Sequence, residues 1–331
     1  MKEIILRVQN LKKWFPLGRN SRELFSHTRK YIRAVDNLNF TIEKETIFGC
    51  VGESGCGKTT TGRLLVRLVE PTSGEVFFKG QNIFLLRKSE LRKIRRRMQI
   101  IFQNPYDCLD PRMKIHDVLA EPMIIHDPGT TRSAREENIQ VLLSKLNLNP
   151  PEKFMGKYPR ELSGGERQRI AIGRALVLQP EFIVADEPVS MLDASVRGEI
   201  LTLIIQLQKQ FQLSLFFISH DLAVARAICS KIAVMYLGKI VELGFSSDIV
   251  SKPLHPYMTA LIDAVPIPDP ASKRSQTALR VELSESTSVQ SGCRFHPRCK
   301  FATDICRKSE PELREYEHRL IACHMADKRT L

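Results

Sequence analysis

The sequence predicts an α/β fold with a parallel sheet at its core and a nucleotide site along one edge of that sheet. Three observations carry this. The loop Gly52-Glu53-Ser54-Gly55-Cys56-Gly57-Lys58-Thr59 follows a strand-like run, Ile47 to Val51, and opens a helix-like run, Thr60 to Val69. Short apolar runs at Met98–Phe102, Phe182–Ala185 and Leu215–Ile218 read as buried strands. Asp186 and Glu187 end one of these runs, where ligands sit in open parallel sheets.

The loop reads G-x-x-x-x-G-K-T between a strand and a helix, the setting a phosphate cradle requires. Glycines let the backbone curl so that successive N–H groups point at phosphate oxygens, and the helix start adds positive charge. Lys58 is expected to reach the β- and γ-phosphates, and the Thr59 hydroxyl to ligand Mg²⁺.

The chain has 331 residues, room for one large domain plus an appendage, or for two. Apolar residues make up 43% and charged residues 26%, which describes a globular protein with a sizeable core. No run of about 18 uncharged apolar residues occurs, so no spanning helix is expected. The start, Met1-Lys2-Glu3-Ile4, lacks a signal-peptide core, and a cytosolic setting is expected. There the eight cysteines suggest metal ligands or thiols rather than disulfides. The net charge is +13, concentrated in Arg87, Lys88, Arg92, Lys93, Arg95, Arg96 and Arg97. Nucleic-acid binding would want aromatics interleaved with those cations. None occur there, so the run reads as a solvated helix face with a minor attraction to membrane surfaces.

In chain order, residues 4–8 and 38–42 alternate as half-buried strands do. Trp14 and Phe15 lie between them, followed by a basic insertion from Gly18 to Arg33. Either aromatic could be core or could offer a ring for adenine to stack on. Pro71–Gly74 is a turn, Glu75–Phe78 a short strand and Lys79–Asn82 another turn. Gln103 directly follows the Met98–Phe102 run, where its amide could offer an oxygen to Mg²⁺ and an N–H to water. Residues 104–162 turn mostly helical, with periodic segments Ile115–Ile125 and Ala134–Leu148. Leu162-Ser163-Gly164-Gly165-Glu166 then precedes a helix over Arg167–Val177 and forms a second anion cradle. Asp186 is expected to hold Mg²⁺ through water and Glu187 to polarise the attacking water. Met191-Leu192-Asp193 leads to a helix from Ser195 to Phe211. His220 ends the Leu215–Ile218 strand, within reach of a γ-phosphate. Ile232–Met235 and Gly238–Glu242 read as a closing hairpin.

Taken together, residues 1–262 resemble the nucleotide-binding subunit of an ABC transporter. The Gly52–Thr59 loop, Gln103, Leu162–Glu166, Asp186-Glu187, Asp193 and His220 fall in that family's order and spacing. The resemblance implies a P-loop NTPase core of RecA-like type with an antiparallel β subdomain and a helical subdomain at about 104–175. It assigns ATP contacts to Gly52, Ser54, Gly55, Cys56, Gly57, Lys58, Thr59, Thr60 and Asp193, with Phe15 as the adenine-stacking aromatic and Trp14 as its substitute. In that family two subunits sandwich two ATPs, which gives the second cradle a use. Ser163, Gly164 and Gly165 would act on the partner's nucleotide. Closure would bring Glu187, Gln103, His220 and Lys58 around the γ-phosphate, with Mg²⁺ held by Thr59, Gln103 and Asp186. Residues 104–125 would meet loops of the membrane subunits.

Pro253–Leu261 followed by Ala264-Val265-Pro266 resembles the C-terminal hallmark of oligopeptide/dipeptide importer ATPases, and the stretch from Asn104 to Pro122 resembles the same subfamily. Its F-type subunit is the nearer of the two kinds. Glu166, Gly173 and Met191 stand where that subfamily has Gln, Ala and Ala. The implied activity is ATP hydrolysis that powers import of di- or oligopeptides, at the cytoplasmic face of the membrane. The implied partners are a second ATPase subunit (a paralogue, or a second copy), two integral membrane permeases and, indirectly, an extracellular substrate-binding protein. The subfamily also handles nickel, glutathione and some sugars. A soluble ABC ATPase of translation or repair is the rival reading. Those carry two nucleotide domains or a long coiled-coil insertion, whereas this chain has one phosphate loop and a short helical insert. A nonhydrolytic module that works through its tail is a further rival, which Asp186-Glu187 opposes.

Residues 263–331 form the expected C-terminal extension, starting with a linker-like stretch over 267–292. Cys293, Cys299, Cys306 and Cys323 follow, separated by five, six and sixteen residues. Four thiolates can bind zinc or an iron–sulfur cluster, and the C-x₂-C spacing of zinc ribbons is missing. The resemblance favours a [4Fe–4S] cluster, with zinc or plain thiols as alternatives. His296 and His324 are not expected to be ligands.

Overall fold

The computed structural model describes residues 3–17, 31–264 and 291–326. Residues 18–30 of the basic insertion and 265–290, which hold most of the linker-like stretch, lie outside the described residues. Strands β1 (Ile4–Pro16) and β2 (Tyr31–Glu43) pair antiparallel and extend well past the alternating patches that announce them. β3 (Ile47–Val51) is buried at every residue, and α1 (Lys58–Leu65) follows the glycine-rich loop. β4 (Ser73–Phe78) and β5 (Gln81–Asn82) then complete an antiparallel sheet in the order β2-β1-β4-β5.

The basic run becomes α2 (Lys88–Arg97), on which only Ile94 is buried, as a solvated face requires. β6 (Met98–Ile101) leads to the helical region of α3 (Ile115–His126), α4 (Arg132–Lys145), α5 (Glu152–Met155) and α6 (Gly164–Leu176). Gly173 explains one departure from the expected pattern. A Cβ there would come within 2.6 Å of Leu146 Cδ1, so the missing methyl lets α6 lie close against the turn that ends α4. The chain returns through β7 (Phe182–Asp186), α7 (Ala194–Gln210), β8 (Ser214–Ser219), α8 (Leu222–Ile228), β9 (Lys231–Tyr236) and β10 (Lys239–Phe245). Helices α9 (Ser246–Ser251) and α10 (Pro256–Asp263) follow.

The second sheet runs β11-β12-β10-β9-β3-β8-β7-β6, and its members from β9 to β6 are parallel. Each parallel strand is apolar on both faces, because strand side chains alternate and both faces are covered. Ile47, Val51, Ile183, Ala185, Leu215 and Phe217 face a core shared with α3, α4, α6 and α7. Phe48, Cys50, Phe182, Val184, Phe216 and Ile218 face a second core shared with α1 and the antiparallel sheet. Phe40 of β2 stacks on Phe48 and Phe216, with ring centroids 5.3 and 5.9 Å away, and so joins the two sheets.

The tail departs from the expectation of a linker and a cysteine cluster alone. Its helix α11 (Asp304–Lys308) precedes β11 (Arg314–Tyr316) and β12 (Arg319–Ile321), and β12 pairs with β10. The extension therefore prolongs the central sheet. Arg319, at 5% exposure, donates to the fully buried Glu242 at 3.0 Å and to the carbonyl oxygens of Asp248 and Lys252. Among the described residues no helix is long and apolar enough to cross a membrane.

Removing one member of a buried ion pair leaves the other charge uncompensated, at a cost of about 3–5 kcal/mol. Arg319→Met is expected to lower stability by about that amount, read as the shift in a denaturant-unfolding midpoint. Substitution of the exposed Arg314 should leave the midpoint in place.

Candidate active site

Parallel strands end on a common edge, and Lys58, Thr59, Gln103, Asp186, Glu187 and His220 collect there. The loop after β3 makes its turn with Gly52, Gly55 and Gly57 at positive φ. Gly57 caps α1 at φ 107°, and a Cβ there would come within 2.0 Å of the Ala34 carbonyl oxygen of β2. Lys58 is 4% exposed, and its ammonium donates to the carbonyl oxygens of Gly52 and Glu53 at 2.8 and 2.9 Å. The Thr59 hydroxyl donates to Asp186 Oδ1 at 2.9 Å, across from α1 to the end of β7. Burial raises the Asp186 carboxyl above its ordinary pKa, the Thr59 bond pulls the other way, and the Glu187 charge adds to the rise. A hydroxyl and a desolvated carboxylate side by side, beside an ammonium resting on loop carbonyls, suit a hard cation carried in with phosphates. The residues present therefore fit Mg²⁺ bound with a nucleotide.

Next to this pair, Glu187 Oε2 accepts from Gln103 Nε2 and meets His220 Nδ1, both at 3.1 Å. Gln103 follows β6, Glu187 follows β7 and His220 follows β8, so three strand ends supply one cluster. Glu187 has φ 46°, an unusual backbone for a side chain of its size, held by its N–H to Ile218 O at 3.1 Å and by the Ser190 hydroxyl on its carbonyl at 3.0 Å. Its side chain is 11% exposed and that of His220 is 54% exposed, which leaves this oxygen at the mouth of the site.

The second cradle lies at the start of α6. Ser163 Oγ accepts from Glu166 N at 3.3 Å, and Glu166 Oε2 accepts from Ser163 N at 2.7 Å, a reciprocal capping box. The Ser163 N–H, above all, holds the Glu166 carboxyl below its usual pKa. The box is thus complete at neutral pH and weakens as pH falls through that lowered value. Ser163 and Gly164 are exposed and Gly165 is half-buried. Asp193 is exposed at the start of α7. Of the two aromatics on β1, Phe15 is 39% exposed, with Lys13 Nζ 5.0 Å from its ring centre. Trp14 is half-buried under the Arg33 guanidinium at 4.5 Å. Cys56 is 3% exposed behind the loop, and burial raises its thiol pKa, so it serves as packing. Thr60 sits half-buried on the first turn of α1.

The metal-cluster expectation for the tail is overturned. Among the described residues no group of three or more His, Cys, Asp or Glu is arranged to hold a metal ion. Cys293 and Cys299 pack against the large core, and Cys323 belongs to a separate small cluster with Leu254, Ile321 and Ala326. Cys306 Sγ lies 3.5 Å from the Thr303 hydroxyl. Burial, with smaller contributions from Cys306, Cys323 and Cys299, pushes the Cys293 thiol up to about 11. Neither the [4Fe–4S] cluster nor zinc is supported.

Two contacts to the phosphate loop escape a reading of the sequence. The Glu53 N–H donates to Tyr257 Oη of α10 at 2.8 Å. The Glu53 carboxylate takes both ends of the Arg298 guanidinium, at 2.8 and 2.9 Å. Tyr257 was visible only as part of the Pro253–Leu261 pattern, and Glu53 only as a variable position inside the loop.

A phosphate loop, an acidic strand end and an exposed capped helix start on this sheet define the ATP-binding cassette class. Sequence profiles agree: one for ABC transporters matches residues 35–190, and one for the oligopeptide/dipeptide transporter C-terminal region matches residues 241–306. The oligopeptide transport ATP-binding protein AppF of Bacillus subtilis is 42% identical over 327 residues, 98% of each chain. The dipeptide transport ATP-binding protein DppF of Haemophilus influenzae is 44% identical over 98% of this chain and 97% of its own. Among solved structures, a dimeric ATP-binding cassette in a post-hydrolysis state with ADP and Pi superimposes with a TM-score of 0.63 at 28% identity, over 73% of this chain and 98% of its own. The chain belongs to the family of ABC transporter ATP-binding proteins of the oligopeptide/dipeptide type, and it is an ATPase of that class.

The loop geometry separates two glycines. Gly57→Ala meets both a disallowed φ and a backbone carbonyl, and is expected to cost more than about 3 kcal/mol. Gly55→Ala has φ 79° but open space around it, and should cost about 1 kcal/mol. Unfolding midpoints without nucleotide check the order.

Proposed function

We propose that this chain is the subunit that binds and hydrolyses ATP to power import of di- or oligopeptides through an ABC transporter. The observation that carries the reading is the meeting of Gln103 and His220 on one oxygen of Glu187, beside the Thr59–Asp186 pair. The naming of full-length relatives as oligopeptide and dipeptide transport ATP-binding proteins supports the peptide assignment.

Residues 1–262 act as the nucleotide-binding domain, with a helical subdomain at about 104–175, and 263–331 as the extension. Backbone N–H groups of Gly52 and of Ser54 to Thr60, with the Lys58 ammonium, grip the phosphates, and Phe15 stacks on the adenine. Thr59, Gln103 and Asp186 hold Mg²⁺, which neutralises charge on the phosphate oxygens when bound. Glu187 accepts a proton from the attacking water as the water oxygen bonds to the γ-phosphorus and the bond to ADP breaks. His220 orients the γ-phosphate. The exposed Ser163–Gly165 turn covers the ATP of a second ATPase subunit, and Asp193 lies at that same interface. Two permeases carry the pair at the cytoplasmic face of the membrane, and an extracellular binding protein delivers the cargo.

Glu187→Gln keeps shape but loses the proton acceptor, so turnover should fall by about 100-fold or more while ATP affinity stays within about threefold. Lys58→Ala should abolish nucleotide binding in the same titration. In vesicles with the full transporter, ATPase activity should rise when peptide-loaded binding protein is added. Stimulation by nickel, glutathione or sugar instead of peptide would reassign the cargo.

A further inference from the structure

We propose that Tyr257 and Arg298, both outside the phosphate loop, are positioning residues for ATP binding, which makes the docked C-terminal extension part of the nucleotide site. The inference rests on the reading of Gly52–Thr59 as the ATP cradle.

Glu53 is held on three sides. Its N–H is taken by Tyr257 Oη at 2.8 Å, and its carboxylate by Arg298 through two hydrogen bonds. Its carbonyl accepts from Lys58 Nζ at 2.9 Å. Displacing Glu53 therefore displaces the resting place of the ammonium that serves the phosphates. A bidentate guanidinium–carboxylate pair fixes angle as well as distance, which a single contact does not.

Each grip is itself braced. Tyr257 is fully buried at the start of α10, and its ring packs on Tyr236 and Phe295 with centroids 4.6 and 5.5 Å away. The approach to α10 is pinned by Glu242, which accepts from Leu254 N and His255 N. Glu242 in turn is held by Arg319 of the extension. The Arg298 side chain is 10% exposed and lies 5.7 and 5.8 Å from the Tyr236 and Phe295 ring centres. Four residues earlier, Arg294 pairs with Asp36 of β2 and donates to the Leu237 carbonyl. The Gly238 N–H beside it donates to Cys56 O of the phosphate loop at 2.8 Å. One short piece of the tail thus reaches the loop at Glu53 and, through Leu237-Gly238, at Cys56.

The test uses the full-length chain, a fluorescent ATP analogue and steady-state ATPase assays. Arg298→Met keeps the apolar stem and removes the fork. It is expected to raise Kd and KM for ATP about fivefold to tenfold, with kcat at saturating ATP within about twofold. Arg298→Lys, which retains the charge, should fall between the two. Tyr257→Phe keeps the ring and strands the Glu53 N–H, and should weaken binding about fivefold. In a Glu53→Gln background, Arg298→Met should add less than about twofold, because the partner is already weakened. Wild-type affinity in Arg298→Met, or an unchanged penalty in the Glu53→Gln background, overturns the proposal. Lys58→Ala run alongside separates the two readings. If it binds ATP normally the cradle itself is wrong. If it fails to bind while Arg298→Met is normal, only the positioning role is wrong.

Discussion

A parallel sheet delivers all its strand ends to one edge, and the chemistry of this protein depends on that constraint. β3, β6, β7 and β8 arrive together, so residues as far apart as Thr59, Gln103, Asp186, Glu187 and His220 need no long loops to meet. The edge is useful only because the strands below it cannot shift. Their side chains alternate between two cores, and a slip of one residue would turn every one of them to the wrong side. Packing energy on both faces thus becomes positional accuracy at the rim, where Glu187 tolerates a positive φ because Ile218 and Ser190 fix its backbone.

What was legible in the sequence was local or periodic. The loop at Gly52–Thr59 spells its own backbone path, and apolar runs of four or five residues announce buried parallel strands. The Ser163–Glu166 spacing is itself a capping signal. The roles expected of Gln103, Glu187 and His220 came from their places at strand ends and from family order, and the geometry supplies what order lacks: a single carboxylate oxygen met by two side chains. Contacts between distant segments were not legible. Nothing near Glu53 hints at Arg298, 245 positions away. The three-residue strands β11 and β12 carry too many charges to show a period, and they form because β10 offers an edge to pair with.

The cysteines show how count and spacing can mislead. Four thiols in a short tail suggest a shared ion, but a ligand set needs convergence and deprotonation as well as number. Here Cys293 and Cys299 pack against the large core and Cys323 joins a small separate cluster, and among the described residues no three such groups are arranged as a ligand set. Desolvation favours the neutral thiol at Cys293, as it does at the unrelated buried Cys56. A buried cysteine behaves as a small apolar side chain unless a cation or a metal makes the thiolate affordable.

Arginine, not cysteine, attaches the tail. Arg294 meets Asp36, Arg298 meets Glu53 and Arg319 meets Glu242, three cations of the extension on three carboxylates of the nucleotide-binding part. Replacing such buried pairs with apolar residues often leaves stability unchanged or higher, so stability alone is a weak reason for them. Their geometry gives a stronger one. An apolar patch would let the extension slide, whereas three charge pairs, the one at Arg298 forked, hold it to one seat. The three carboxylates stand on β2, in the phosphate loop and on β10, so that one seat also fixes those three elements relative to each other. Because β2 presses its Ala34 carbonyl against Gly57, the curl of the loop and the docking of the tail are set by one set of contacts. If the Gly52–Thr59 loop cradles phosphate as proposed, the extension is the outer wall of that site.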